Sequence, residues 1–371
     1  KTMSTLKVGG IRGVSASSDA ITVANDGTAT GKFTNRKGKN LVINGEMAVA
    51  QQATSSTSTG KKTVDRFGLS TAGVDEAMTQ EQVDVSAGTT PYTLGFRKAF
   101  KVTNGNQTSG AGSSDRCIVS TALEAHDMAL SGWNYTSPSS YITLSFWAKS
   151  SVAQTFYVAF TTQDGTSQRY STPMTFSSTN TWTKFTYKIP GASGVQFDNN
   201  FDRGFQIFWT LFRGTDNTDN SFVINQWAAY DSAKRYPDYT TTWFTTNDAT
   251  FELTGVQLEV GDAATDFEHQ CYQYHLYRCY RYFVKASFTT LLGSASGQVS
   301  TPVIRYPVEM RGAASTYINY SGDNNFRNQN DGSTVTGFTT YNHHTYGFDT
   351  RSSNGSGNTI YSSTYYADAE I

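Results

Sequence analysis

Between Tyr141 and Trp147 apolar and polar residues alternate, with Ile142, Leu144 and Phe146 on one face and Tyr141, Thr143, Ser145 and Trp147 on the other. Period two predicts a strand half-buried against a core. Phe156, Val158 and Phe160 repeat the pattern, Phe185, Tyr187 and Ile189 give a third strand, and Phe205, Ile207, Trp209 and Leu211 a fourth. Turn clusters separate these runs, and no helical repeat competes with them from Asn40 to about Asp266. Several such strands within roughly 200 residues predict a β-sandwich of jelly-roll type. Across Thr250 to Val260 the apolar phase shifts: Phe251 and Leu253 lead, then Val256, Leu258 and Val260 follow. Gly255 at the break predicts a β-bulge.

The flanks read differently. From Leu6 to Lys37 the apolar residues are sparse, among them Val8, Ile11, Val14, Ile21, Val23 and Phe33. Such a stretch buries no core alone, so short strands completed by identical copies of the chain are expected. The run Cys271 to Phe283, CYQYHLYRCYRYF, is the one place where a helix fits, and its rings lie on every side. A helix of that kind wants burial all round. A threefold axis supplies the second cover, with Tyr274, Leu276, Tyr277, Tyr280 and Phe283 as the trimer contacts. After it, strand and turn text returns up to Ile371. The predicted fold class is all-β, in four parts: an N-terminal attachment or shaft segment over 1–39, a jelly roll over 40–268, a short helical connector over 269–285 and a small β tip domain over 286–371.

Composition sharpens this picture. Charged residues make up 16% of the 371-residue chain and aromatics 14%, with Thr, Ser, Asn and Gly filling the remainder. Thr and aromatics favour strands, and Gly, Asn and Ser favour turns. The formal charge of -1, without a basic block, argues against a nucleic-acid partner. No stretch approaches the roughly 20 apolar residues of a membrane helix, so no membrane insertion is expected. Cys117, Cys271 and Cys279 are too scattered for a disulfide framework and are expected as buried free thiols.

The segments NLVINGEMAVAQ (Asn40 to Gln51), VDRF (Val64 to Phe67), LTGVQLEVGDAATDFEHQCYQYHLYRCYRYF (Leu253 to Phe283), PVEMRGAAST (Pro307 to Thr316) and the final ADAEI together resemble phage tail-fibre or virion-appendage proteins, especially those of marine and cyanobacterial phages. LSFWAKS and NTWTKFTYKIP, within Leu144 to Pro190, resemble the core strands of carbohydrate-binding jelly rolls. The resemblance implies a homotrimeric virion fibre, assembled in the host cytoplasm, that docks to a tail or capsid protein through its N-terminus. Its partner at the other end is a glycan of the host surface. Two other readings stand beside it: a glycan-depolymerising tailspike, and a structural head fibre or decoration protein without a receptor role.

Candidate contacts follow from chemistry. Trp133, Trp147, Trp182 and Trp243 lie on or beside polar faces and loops, where a flat ring can stack on a sugar or pack against a neighbouring subunit. In the tail Tyr341, His343, His344, Tyr346, Tyr361, Tyr365 and Tyr366 crowd into loops and edge strands, as contacts with a receptor or as packing of a small domain. His343 and His344 are adjacent on a strand and point to opposite faces, which argues against a metal. DNNFDRG (Asp198 to Gly204) and GTDNTDN (Gly214 to Asn220) gather carboxylates and amides but lack calcium-loop spacing. A glycosidase needs two carboxyl groups roughly 5 to 10 Å apart. Glu252 and Glu259, both expected to face outward, stand seven strand steps or roughly 20 Å apart. No GxSxG elbow, Walker loop or HExxH helix is present, and neither enzymatic activity nor a cofactor is expected.

Overall fold

The computed structural model describes residues 8–14, 19, 21–23, 25, 29–31, 38–292, 303–318, 327–328, 338–352 and 359–371. Leu6 and Phe33 lie outside the described residues. Near the N-terminus β1 (Gly10–Ile11), β2 (Ile21–Val23) and β3 (Ala29–Gly31) form an antiparallel meander. Twelve strands then follow in chain order: β4 (Ser55–Ser56), β5 (Gly68–Ala72), β6 (Thr79–Asp84), β7 (Lys98–Thr103), β8 (Arg116–Glu124), β9 (Tyr141–Ser150), β10 (Thr155–Thr162), β11 (Gln168–Thr175), β12 (Thr183–Pro190), β13 (Arg203–Arg213), β14 (Trp227–Ala229) and β15 (Thr250–Val260). They make two six-stranded sheets, ordered β14-β11-β10-β13-β8-β5 and β12-β9-β15-β7-β6-β4. The fold is an all-β sandwich of jelly-roll type.

The four alternating runs all become strands in the predicted phase. Ile142, Leu144 and Phe146 stand opposite Ile189, Tyr187 and Phe185 across β9 and β12, and Phe160 and Val158 stand opposite Ile207 and Trp209 across β10 and β13. These rows face each other and form the main core. In β15 the pairing with β9 slips between Thr254 and Gln257, so Gly255 and Val256 oppose one residue. The bulge turns Val256 and Leu258 back inward, beside Phe251 and Leu253. Gly255 has φ +63, and a Cβ there would lie 2.7 Å from the Phe96 ring.

The NLVINGEM segment plugs the bulge. The Asn40 amide donates to the Val256 carbonyl at 3.0 Å, and its oxygen accepts from the Val42 and Leu258 backbone. The Val256 N–H donates to the Gly45 carbonyl, so both backbone groups of Val256 are paired at the bulge. Gly45 has no room for a side chain, since its Cβ would lie 2.0 Å from the Val256 oxygen.

The predicted helix is shorter, Tyr272–Cys279, and is buried on one side only, through His275 and Cys279. Tyr272, Tyr274 and Tyr277 are 57%, 47% and 57% exposed, while Leu276 and Tyr280 are half-buried. All-round burial is therefore not what this chain gives the helix. Phe283 is corrected as a trimer contact: it is buried within its own chain, its ring centroid 6.1 Å from that of Tyr366. Cys117 and Cys279 are buried thiols, but Cys271 is exposed.

Beyond the helix come β16 (Phe283–Leu292), β17 (Val303–Arg305), β18 (Ser315–Ile318), β19 (Arg327–Asn328), β20 (Phe338–His344), β21 (Gly347–Ser352) and β22 (Thr359–Asp368). β22 pairs with β16, β18 and β19, and β21 lies between β17 and β20. Val284, Tyr306, Met310, Phe348 and Tyr365 form a second core. Buried charge joins this part to the sandwich. Arg66, 1% exposed, pairs with Glu370, donates to the Ala122 carbonyl at 2.6 Å and lies 3.4 Å above the Tyr282 ring. Lys61 adds a second cation at 2.7 Å from the Glu370 carboxylate. Burial opposes the Glu370 charge, but the cations of Arg66 and Lys61 outweigh it and hold the carboxyl below its usual range. Alongside, Glu124 accepts from two Arg281 nitrogens at 2.7 Å each and from the Tyr282 hydroxyl at 2.5 Å.

Gly255→Ala adds left-handed strain and a clash with Phe96, and is expected to destabilise by roughly 2 to 4 kcal/mol in urea unfolding. Glu370→Gln strands the Arg66 charge and is expected to lose about 3 to 5 kcal/mol, whereas Arg66→Met combined with Glu370→Leu loses less than the single change.

Candidate functional site

The outer face of the β14-to-β5 sheet carries a cleft of about 230 Å³. Four strands supply its floor. Phe208 on β13 stands between Ala159 on β10 and Ser120 on β8, so a partly exposed ring sits among small neighbours. Two pairs along, on the same face, Gln206 stands opposite Thr161, which also pairs with Arg169 on β11. The Gln163 amide donates to Gln206 at 3.1 Å. The chain from Gly214 to Thr240 folds back as the wall. Tyr236 is fixed by a 2.5 Å hydroxyl bond to Thr210, the Tyr230 N–H donates to the Ser167 carbonyl at 2.8 Å, and Arg169 Nε and the Ser171 hydroxyl both donate to the Arg235 carbonyl.

The result is a rigid floor with one aromatic ring, two carboxamides and guanidinium groups at its rim. Flat apolar rings suit the C–H face of a sugar, and amide groups suit its hydroxyls. The volume fits a single sugar ring and falls below the roughly 300 Å³ at which drug-sized pockets begin. None of the residues lining it is Asp or Glu.

Sequence reasoning missed this cleft. Its signal was present in β13, where the run Phe205, Ile207, Trp209, Leu211 points inward and thereby sends Phe208, an aromatic, to the polar face. The residues chosen from sequence go elsewhere. Trp133 and Trp243 are corrected as glycan contacts: they are 3% and 0% exposed, with indole N–H groups donating to the carbonyls of Ser140 and Thr250. Trp147 lines a different hollow of about 200 Å³ with Phe96, Lys184 and Phe267, and Trp182 packs against the same small cluster within this chain. Tyr346 is exposed, stacked on His344 at 4.8 Å with Arg305 over its ring. His343 lies flat near Phe348, apart from His344, at a ring distance of 6.4 Å. Tyr365 is buried in the second core and Tyr366 is half-buried. The side chains of Tyr341 and Tyr361 lie outside the described residues' side chains. Among the described residues no ring contact joins these tail residues to the tryptophans.

No family model matches the chain, and no curated protein matches it. Solved structures do. The enzymatically active domain of bacteriophage CBA120 tailspike protein 4 is 14% identical with a TM-score of 0.33, covering 60% of this chain and 21% of that one. This chain thus spans about a fifth of that tailspike. The N-terminal cellulose-binding domain of Cellulomonas fimi β-1,4-glucanase C is 14% identical with a TM-score of 0.28, covering 58% of this chain and all of that domain. A family 11 carbohydrate-binding module of a Clostridium thermocellum cellulosomal cellulase is 14% identical with a TM-score of 0.26, covering 57% and 99%. At such scores the likeness carries no argument about a site.

The carboxylates singled out from sequence are engaged in structure. Glu259 points to the outer face, as the phase shift requires, but is covered there by the following loop: its oxygens accept from the Thr265 N–H and hydroxyl and from Gln257. Glu252 pairs with Lys149 at 2.9 Å. In the acidic loops the Asp198 N–H donates to Asp164, and Asp219 pairs with Lys234 at 3.0 Å. Among the described residues no group of three His, Cys, Asp or Glu converges as a metal site.

Glu46, from the NLVINGEM segment, faces His269 at 3.3 Å and His275 at 3.4 Å and accepts from the Gln270 N–H. Burial alone would raise the Glu46 carboxyl, but these hydrogen bonds outweigh it and hold it at about 2. The other His269 nitrogen meets the Leu94 carbonyl at 2.8 Å. Both ring nitrogens therefore face acceptors, and the Glu46 bond first of all raises the His269 pKa. For Glu46, lowered on folding, the stabilisation is present above pH about 4.5 and lost as pH falls towards 2; for His269, raised on folding, it is present below about 6.5 and lost as pH rises through the folded value. Melting temperature is thus expected to peak between about pH 4.5 and 6.5, and Glu46→Gln should flatten that peak in a thermal scan series.

Proposed function

We propose that this chain is a non-enzymatic fibre protein of a tailed phage, a homotrimer that docks on the virion through residues 1–39 and holds a host-surface glycan in the cleft over Phe208. The observation that carries the glycan part is the partly exposed Phe208 ring set between Ala159 and Ser120, with Gln206 and Gln163 alongside. That arrangement offers a stacking surface and hydrogen-bonding groups on one rigid sheet face. The absence of Asp and Glu from the lining favours binding over hydrolysis, which asks for a carboxyl pair.

The phage assignment draws on the motif resemblance given above. Two surfaces support association of copies: the exposed Tyr272, Tyr274 and Tyr277 on the helix, and the exposed Val8, Ile11 and Val14 beside β1. Large exposed apolar groups of this kind mark interaction surfaces. Trimeric display multiplies weak single-site binding, because tethered sites engage at high effective concentration.

Calorimetric titration with oligosaccharides from a host surface polysaccharide tests the site. Phe208→Ala is expected to weaken binding about tenfold, a loss of about 1.4 kcal/mol, while His343→Ala leaves it unchanged and no reducing ends are released. Unchanged affinity in Phe208→Ala removes the cleft from the account. In sedimentation equilibrium the particle should weigh three times the 40.6 kDa chain.

A further inference from the structure

We infer that the glycan held in this cleft is acidic, and that its anionic group, a carboxylate or a sulfate ester, is gripped by Arg169 and Arg235. This rests on the reading of the cleft as a glycan site and adds the class of sugar. Arg169 and Arg235 both line the cleft. Arg169 is only 4% exposed, and its guanidinium lies 4.3 Å from the Tyr236 ring centroid and 5.8 Å from that of Phe208. Behind them Arg213, 5% exposed, stands directly opposite Arg116 across β13 and β8. Arg235 and Arg116 lie close enough to Arg213 for their charges to act on it, while Arg169 reaches the cleft from β11, level with Gln206.

Among the described residues no carboxylate pairs with Arg116, Arg169, Arg213 or Arg235. The Nε atoms of Arg116, Arg213 and Arg235 are buried without a hydrogen-bond partner among the described residues. The nearby loop acids are used elsewhere, Asp219 by Lys234 and Ser221, and Asp238 by Thr218 and Asn220. Burial, then the neighbouring charges of Arg235 and Arg116, pull the Arg213 pKa down to about 10.

Like charges opposite each other on adjacent strands destabilise, and a buried charge without a counter-charge is more expensive still. Stacking on Tyr236 and Tyr230 offsets part of this. An anion entering the cleft offsets the remainder, and the planar fork of Arg suits the paired oxygens of a carboxylate or sulfate. A neutral sugar leaves the cluster as it is.

The test follows melting temperature of the full chain with millimolar galacturonate, galactose or inorganic sulfate. Galacturonate or sulfate should raise it by a few degrees where galactose does not. Whichever of the two acts more strongly names the carboxylate or the sulfate as the anion. Arg235→Gln, whose side chain is half-buried, should melt higher than the parent without ligand, because repulsion is relieved, and should lose the anion shift. A merely structural Arg235 would lower the melting point instead. Equal shifts in parent and Arg235→Gln, or no shift with either anion, overturn the inference. A galactose shift equal to that of galacturonate also overturns it while leaving the glycan cleft standing; glycan binding indifferent to Phe208→Ala sinks the cleft itself.

Discussion

A buried guanidinium stands at the centre of the seam that joins the two cores of this chain. Arg66 meets the Glu370 carboxylate, the Ala122 carbonyl and the Tyr282 ring at one point, where the sandwich and the C-terminal strands touch. A charge that deep is tolerated only when it is paired and hydrogen-bonded. Its partners come from β8, from the turn after the helix and from the last residues of the chain, so their packing has to be mutually consistent. The bidentate Arg281–Glu124 pair next to it repeats the same solution with the opposite sign buried.

The bulge at Gly255 works at the same level. Without it Val256 and Leu258 would turn away from the core, because a one-residue slip reverses every following side chain. Asn40 and Gly45 then pair the backbone groups that the bulge sets free. The segments by which the chain resembles phage fibres are therefore architectural: VDRF supplies Arg66, ADAEI supplies Glu370, CYRYF supplies Tyr282, and NLVINGEM closes the bulge. The cleft lies on the outer sheet face, built from residues outside those segments.

That division explains what was legible in the sequence. Strand phase was readable because both sheets bury one face, and the shift at Gly255 was readable for the same reason. The cleft was not, because its wall comes from Gly214 to Thr240, an irregular segment whose path over the sheet has no periodic signature. Trp133 and Trp243 misled for a physical reason: both sit in polar surroundings in sequence, yet each buries its ring by donating its indole N–H to a backbone carbonyl. Phe283 misled differently, since the strand that packs beside it, β22 with Tyr366, lies far along the chain. Strand registry turns Phe208 outward, but only the folded wall makes that ring part of a site.

The central claim is that the sheet face over Phe208 meets the host glycan. Hydrogen–deuterium exchange of the intact protein, with and without purified host surface polysaccharide, reads this directly across the chain. Added protection at residues 159–171, 206–210 and 229–236 is the result the account predicts. Protection confined to 338–371, with the sheet face unchanged, would contradict it.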